Sequence, residues 1–377
     1  MKKYAILEIL YLFFFKKIIM LYLNALNKMT GVGAQKIKLL MNHFGNGEKI
    51  WQSSLEELIE SGLSEKLAQN IIRERNIINP QEEWRKLEKE NIHIIALDDP
   101  LYPRLLKEIP SSPYLIYVKG DYDFNSAPML AVVGSRKFSQ YGRQATLALS
   151  KDLASAGITI VSGMAIGIDT FAHQSALSEN GKTVAVLGSS LDDKNIGPRI
   201  NFNLSRQIID NGTLISDYPL ETQATPQTFP ARNRLMAGLT LGTIVVEAAS
   251  QSGTLITANM ALDFNREVFA IPGNIFSPTS QGANELIKRG AKMVTNVNDI
   301  LEELNLKNFF QEKKMKEIIP DSPEEEIILK ILSYEPTHID RIIKISKMNT
   351  SIVSSTLIIL EMKGCIKDIG GQNYIKI

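Results

Sequence analysis

Between residues about 110 and 305, short apolar runs alternate with helical segments at a nearly even spacing, and this alternation limits the possible folds most. The runs Met129–Val133, Thr159–Ser162, Thr183–Leu187, Thr213–Ser216, Thr243–Glu247 and Glu267–Ala270 are four or five residues long, most with a glycine near one end. Helical patterns lie between them near 141–156, 169–180, 201–211, 232–240, 254–265 and 283–290. Strands this apolar have no wet face, so helices must cover both sides of their sheet, and alternation with helices makes the sheet parallel. The expectation is an α/β fold with an extended Rossmann-like parallel sheet over 110–305, whose ligands bind beyond the carboxyl ends of the strands.

The flanking segments read differently. Over 20–85, Leu23, Leu26 and Met29 recur at helical spacing, Gly31-Val32-Gly33 breaks the helix, and Ile37, Leu40 and Met41 begin another. The pattern repeats around Gly62-Leu63-Ser64, with Leu55, Leu58 and Ile59 before it and Leu67, Ile71 and Ile72 after it. This is the order of a helical domain of helix-hairpin-helix or SAM-like form. Its hairpins either offer backbone amides to a DNA phosphate or merely cap packing helices. Residues 306–323 are polar and read as a linker. Over 324–377 three apolar faces follow (Ile328, Leu329, Leu332; Ile339, Ile342, Ile343; Leu357, Ile359, Leu360, Met362), and then Gly370-Gly371 joins two short strands, the order of a winged helix.

Composition narrows the function. A single cysteine, Cys365, excludes an internal disulfide framework and fits a reducing, cytoplasmic setting; four scattered histidines give no metal cluster. No cofactor or metal is expected. The net charge of +1 means that any polyanion site is a local patch, although residues 1–49 hold eight lysines against two glutamates. The apolar run 4–15 is interrupted by Lys16 and Lys17 and falls short of the about 20 residues a membrane span needs, so no membrane association is expected.

Four strand ends carry the candidate chemistry. Gly134-Ser135-Arg136 follows the first of these strands: glycine admits a phosphate close to the backbone, Ser135 adds a hydroxyl and Arg136 a bidentate guanidinium, with a helix N-terminus just beyond. Ser162-Gly163-Met164-Ala165-Ile166-Gly167-Ile168-Asp169 follows the next; its small residues expose amides, and Asp169 is expected to cap the following helix. In a parallel sheet these two loops lie side by side. Phe229-Pro230-Ala231-Arg232-Asn233-Arg234 joins a ring that stacks on a base to two arginines that meet phosphates, unless Phe229 is core and the arginines are solvated helix charges. Glu247, followed by Gly253-Thr254 at a helix start, is either an acid or base or an ion-pair partner that orients Arg232 or Arg234, and is read as the ion-pair partner. Asp169, Glu247, Gly253 and Thr254 are thus structural supports, and no catalytic residue is assigned.

These motifs together resemble the DNA-processing protein A family (DprA/Smf). The resemblance rests on YPRLLKEIPSSPYLIYVKG from Tyr102 to Gly120, then VGSR, SGMAIGID with Ala172-His173, FPARNR, VVEA, SGTLITA and VFAIPG, and it spans residues about 20–377. It implies a non-enzymatic, dimeric protein that binds single-stranded DNA, displaces or bypasses single-strand-binding protein and loads the RecA recombinase in natural transformation. It also implies that Gly134, Ser135, Arg136, Ser162, Gly163, Met164, Gly167, Phe229, Arg232 and Asn233 line the DNA pocket. The chain departs from the family in having Ser190-Leu191-Asp192 and Gly197-Pro198 where Gly-Leu-Asp and Tyr-Pro are usual. The contrasting reading is an enzyme related to nucleotide phosphoribohydrolases. Their Gly-Gly-x-Gly-Thr-x-x-Glu motif is matched only by a glutamate that precedes the Gly-Thr, without the double glycine. In the tail, the third helix has Lys363 as its only basic residue, and 321–377 hold seven basic against eight acidic residues, so this tail is expected to bind protein or stabilise the assembly rather than read duplex DNA.

Overall fold

The structure is a computed structural model that describes residues 17–120, 123–306, 321–333, 336–363 and 365–376; the apolar run 4–15 and linker residues 307–320 lie outside the described residues. The chain forms two compact units that divide after Asn305.

The first unit opens with helices: α1 (17–27), α2 (Ala34–Phe44), α3 (Gly47–Gln52), α4 (Leu55–Glu60), α5 (Glu65–Arg75) and α6 (Pro80–Lys89). Local chemistry sets their ends. Gly31 and Gly62 take φ of 83° and 94° in the hairpins, a region that side-chain-bearing residues rarely enter. Ser54 and Glu57 form a capping box at α4, and the Ser64 hydroxyl accepts the Leu67 amide at α5. Leu23, Leu26, Ile37, Leu40, Leu58 and Ile71 bury together, and the same cluster takes in Ala96, Tyr114 and Leu115 from the sheet that follows.

That sheet has nine strands: β1 (His93–Ala96), then after α7 (Arg104–Glu108) β2 (Leu115–Gly120), β3 (Met129–Val133), β4 (Thr159–Ser162), β5 (Thr183–Val186), β6 (Thr213–Ser216), β7 (Gly242–Val245), β8 (Glu267–Ala270) and β9 (Lys292–Met293). From β3 onward the connecting helices are α8 (Gln140–Ser155), α9 (Ile168–Ser178), α10 (Phe202–Asn211), α11 (Thr228–Leu239), α12 (Gly253–Asp263) and α13 (Gln281–Lys288), and α14 (Val297–Glu303) follows β9. The strand order is β1-β2-β6-β5-β4-β3-β7-β8-β9. The strands β3 to β9 run parallel, as expected, whereas β1 and β2 are antiparallel additions at the β6 edge. The six expected strands appear within two residues at each end, but the sheet begins at His93, before the expected boundary near 110, and β1, β2 and β9 extend it.

From β3 the chain winds outward through β4, β5 and β6, then α11 returns it to β7 on the other side of β3. The order therefore reverses at β3, and the crevice beyond the carboxyl end of that strand is where such sheets hold ligands.

The helical segment is tied to the sheet by polar contacts as well. The Tyr117 hydroxyl donates to Asn24 Oδ1 (2.9 Å) and accepts from Asn27 Nδ2 (3.1 Å). Lys28 bridges Glu83 and Glu221, and hydrogen bonds from Lys28 and Lys86 hold the Glu221 carboxyl down to about 2.

The second unit holds α15 (Pro323–Ile331), β10 (Thr337–His338), α16 (Ile339–Ser346), α17 (Thr350–Met362), β11 (Ile366–Asp368) and β12 (Asn373–Lys376), with sheet order β10-β12-β11. Its core joins Ile328, Leu329, Leu332, Ile339 and Ile342 to Val353, Leu357 and Leu360. Two residues expected on the buried face of α17 are not there: Ile359 and Met362 are exposed, because the helical period puts Val353, Leu357 and Leu360 inward.

Candidate functional site

The loops after β3, β4 and β7 meet at the reversal point and, with α11 and α12, enclose a cleft of about 480 Å³. Its lining includes Gly134, Ser135, Arg136, Ala165, Asp169, Phe229, Arg232, Asn233, Gly253 and Thr254. The expectation that the first two loops sit side by side holds. β3 and β4 are hydrogen-bonded neighbours, and the Ile168 amide donates to Ser135 O at 3.4 Å. Their approach is backbone to backbone: Gly167 has φ 100°, and a Cβ there would sit 2.6 Å from Ser135 O.

Arg136 is exposed at the mouth of the cleft, its Cζ 5.3 Å from the centre of the Phe229 ring. The Ser135 hydroxyl, expected to contact a ligand, instead closes a turn by donating to Lys137 O (2.8 Å) and accepting the Lys137 amide (3.0 Å). That turn projects Arg136 and Lys137 from the backbone.

Several expected ligand contacts belong to the protein itself. Arg232 is 4% exposed and forms the cleft floor; its guanidinium donates to Gly163 O at 2.8 Å and to Val186 O, and its Nε donates to Asn233 Oδ1. Burial pulls its pKa down to about 10, so the group remains a cation at neutral pH. Arg234 pairs with Asp217 and donates to Ser111 O at 2.8 Å, so it too is withdrawn from any phosphate. The Ser162 hydroxyl donates to Val132 O at 2.7 Å, and the Met164 side chain is packed in a hydrophobic cluster. Gly163 lies beneath Arg232, where a Cβ would be 2.4 Å from the guanidinium. Ser162, Gly163, Met164 and Gly167 therefore shape the loop rather than face a ligand through their side chains.

The two acids also differ from expectation. Asp169 is not the N-cap of α9; Gly167 holds that position. From the first turn Asp169 reaches back to accept the Gly163 and Ala165 amides at 3.1 and 3.3 Å. These amides are thus unavailable as phosphate donors, and burial pushes the Asp169 carboxyl up against the opposing pull of Arg232. Glu247 pairs with neither arginine. It accepts the Ser139 amide (2.9 Å), the Ser139 hydroxyl (2.6 Å) and the Thr279 hydroxyl (3.0 Å) at the N-terminus of α8. The positive end of that helix, expected to favour a bound anion, is already occupied by the chain's own carboxylate.

At α12, Ser252 caps the Thr254 amide at 3.2 Å, and a Cβ at Gly253 would meet nothing within 4 Å, so the first turn of that helix is open to the cleft. Sequence reasoning missed Lys137, Ile256, Pro278 and Thr279 in the lining. Lys137 was legible as a second cation beside Arg136; the others reach the cleft only through tertiary packing. The helical hairpins carry acids where a phosphate would sit. Glu74 accepts the Thr30 amide at 3.1 Å, and Glu56, Glu57, Glu60 and Glu65 flank the second hairpin. That favours the packing alternative for this segment.

Among the described residues no helix is long and apolar enough to cross a membrane, and no group of three or more His, Cys, Asp or Glu could hold a metal ion.

Comparison with known proteins gives a consistent set of relatives. The model of the DNA recombination-mediator protein A family matches residues 93–305, and that of the DprA winged helix domain matches 312–372. Protein Smf of Synechocystis is 34% identical over 390 residues, spanning 94% of this chain and 98% of that protein. DNA processing protein DprA of Streptococcus pneumoniae is 43% identical over 205 residues, 54% of this chain and 72% of that protein. Among solved structures, the X-ray structure of DNA processing protein A from Streptococcus pneumoniae superposes with a TM-score of 0.65 at 35% identity, covering 75% of this chain and 97% of that one. DNA processing protein A from Helicobacter pylori, whose structure concerns its single-stranded DNA binding mode, gives a TM-score of 0.51 at 29% identity, covering 57% and 95%.

Proposed function

This chain belongs to the DNA recombination-mediator protein A family, and from that premise we propose that it binds single-stranded DNA in the cleft beyond β3 and delivers it to a RecA-type recombinase during natural transformation. The observation that carries the reading is the exposed Arg136 guanidinium over the Phe229 ring at the mouth of the cleft. A ring and a cation side by side suit a polymer of stacked bases and phosphates, and both features are blind to base identity. Phosphate rests on Arg136 and Lys137, a base stacks at Phe229, and the open first turn of α12 faces the backbone. Arg232, Arg234, Asp169 and Glu247 hold the walls. The protein acts as a cytoplasmic homodimer and bypasses single-strand-binding protein.

Binding is favoured over nucleotide hydrolysis because Glu247, the glutamate that the hydrolase reading would use, is 1% exposed and engaged by three hydrogen-bond donors of the chain. In the tail, Lys363 is tied to Asp321 and Glu325, while Ile352, Ile358, Ile359 and Met362 of α17 are exposed. An apolar helix without available cations suits a protein partner better than a DNA groove.

The test is fluorescence anisotropy with single- and double-stranded oligonucleotides over a salt series. Single strands bind more tightly and independently of sequence, and affinity falls steeply with salt. Equal affinity for both forms, or release of free base from a nucleotide monophosphate, contradicts the reading. Recombinase filament assembly on strands coated with single-strand-binding protein tests the delivery step.

A further inference from the structure

Beside the cleft, Phe138 of the same β3–α8 loop meets a ring, Phe171 of α9, which in turn meets a cation, Arg143 of α8, and the cleft does not use them. Phe138 packs perpendicular to Phe171 of α9, with ring centroids 4.8 Å apart and planes at 88°. The Arg143 Cζ lies 5.4 Å from the centre of Phe171. This repeats the pairing of Arg136 with Phe229 at 5.3 Å. Phe138 remains 38% exposed, and Ile166, from the loop after β4, is 49% exposed. Among the described residues, Arg136, Lys137 and Arg143 are in none of the ion pairs, so three exposed cations border this apolar surface. Folding alone gains little from leaving such rings half in water, whereas a nucleobase would cover them and its phosphates would meet the cations.

Resting on the cleft reading above, we propose that Phe138 and Phe171, with Arg143 and Lys137, form a second base-stacking station that takes the nucleotide next to the one held at Phe229. Continuity supports this. Arg136 and Phe138 are two residues apart, so their Cα atoms are separated by at most about 7 Å. A strand whose phosphate rests on Arg136 therefore carries its neighbouring nucleotide over Phe138. The perpendicular ring pair leaves a ring face outside the Phe138–Phe171 contact, and Ile166 adds an apolar flank. Two stations grip a run of at least two unpaired bases, which a duplex, with its bases stacked inside, cannot present.

The test uses the full chain with Phe138→Ala, Phe138→Trp and Arg136→Ala, titrated with oligothymidylates of increasing length. Removing one stacking platform is expected to weaken binding about 5- to 150-fold for oligonucleotides long enough to reach both stations, and to leave the shortest that fills the cleft unaffected. Phe138→Trp keeps the affinity, and its fluorescence is quenched on binding. The two native tryptophans, Trp51 and Trp84, lie in the helical segment, so the new signal is read as a difference from the parent protein. Because Phe138 is partly exposed, its truncation does not hollow the core. Loss of binding in Arg136→Ala, with unchanged affinity at every length in Phe138→Ala and no quenching in Phe138→Trp, overturns the second station and leaves the cleft standing. Unchanged binding in Arg136→Ala overturns the cleft reading and this station with it.

Discussion

Two arginines that look equivalent in sequence should fail in opposite ways when removed. Arg232 is enclosed: alanine there strips a donor from Gly163 O and Val186 O and takes a cation from beside Asp169. Each orphaned buried acceptor costs about 1–3 kcal/mol, so for the two together we expect a total of about 2–6 kcal/mol. Arg136 is exposed, and its contribution to the fold is one ring contact, worth about 0.5–1 kcal/mol. Its loss at the DNA site forfeits a charge-assisted phosphate contact of about 1.5–3 kcal/mol, a 10- to 150-fold drop in affinity, and lowers the salt slope by about 0.7. Urea unfolding followed by anisotropy, on both variants, separates these outcomes. Arg232→Ala should show the lowered unfolding midpoint, and Arg136→Ala the weakened, sequence-independent binding at nearly unchanged stability. The reasoning fails if Arg232→Ala unfolds like the parent protein yet loses DNA, or if Arg136→Ala binds unchanged.

His173 is buried with its pKa drawn down to about 3, because burial penalises the cation. Since the unfolded imidazole takes up a proton near pH 6.5 and the folded one does not, its contribution is complete above pH 6.5 and falls by about 1.4 kcal/mol per pH unit down to about 3; His173→Gln should flatten the urea midpoint over that window. Gly167→Ala forces a side chain into φ 100° and against Ser135 O; a destabilisation of about 1–3 kcal/mol by thermal melt, together with weaker single-strand binding, is expected. Glu247→Ala removes the acceptor of Ser139 and Thr279 at the α8 terminus and should cost about 2 kcal/mol or more, read by urea unfolding. Deleting 321–377 should leave single-strand affinity within two- to three-fold, since the cleft lies wholly in the first unit; a larger loss by anisotropy assigns that tail a DNA contact.

The parallel part of the sheet was legible because each strand from Met129 to Ala270 is an apolar run ended by small residues, and that pattern has one physical solution. β1 and β2 were not. His93–Ala96 is too short to signal itself, and the run Leu115–Gly120 joins the sheet antiparallel through a partner, β6, nearly a hundred residues away. At the site, backbone geometry was readable from glycines: Gly134 and Gly167 do bring two loops together. The destinations of charged side chains were not. Arg234 found Asp217, Glu247 found Ser139 and Thr279, and Asp169 turned back on the loop before it. Residue type tells that a buried charge needs a partner, but only the packed fold decides which one.

Asn27 also donates to the carbonyl of Asp217, the residue whose carboxylate Arg234 grips from α11. A fragment starting at residue 93, where the match to the recombination-mediator model starts, would strip the cover from Tyr114, Leu115 and Tyr117 and leave that tie hanging. The leading helices serve as a lid without which the sheet has a greasy, unfinished side.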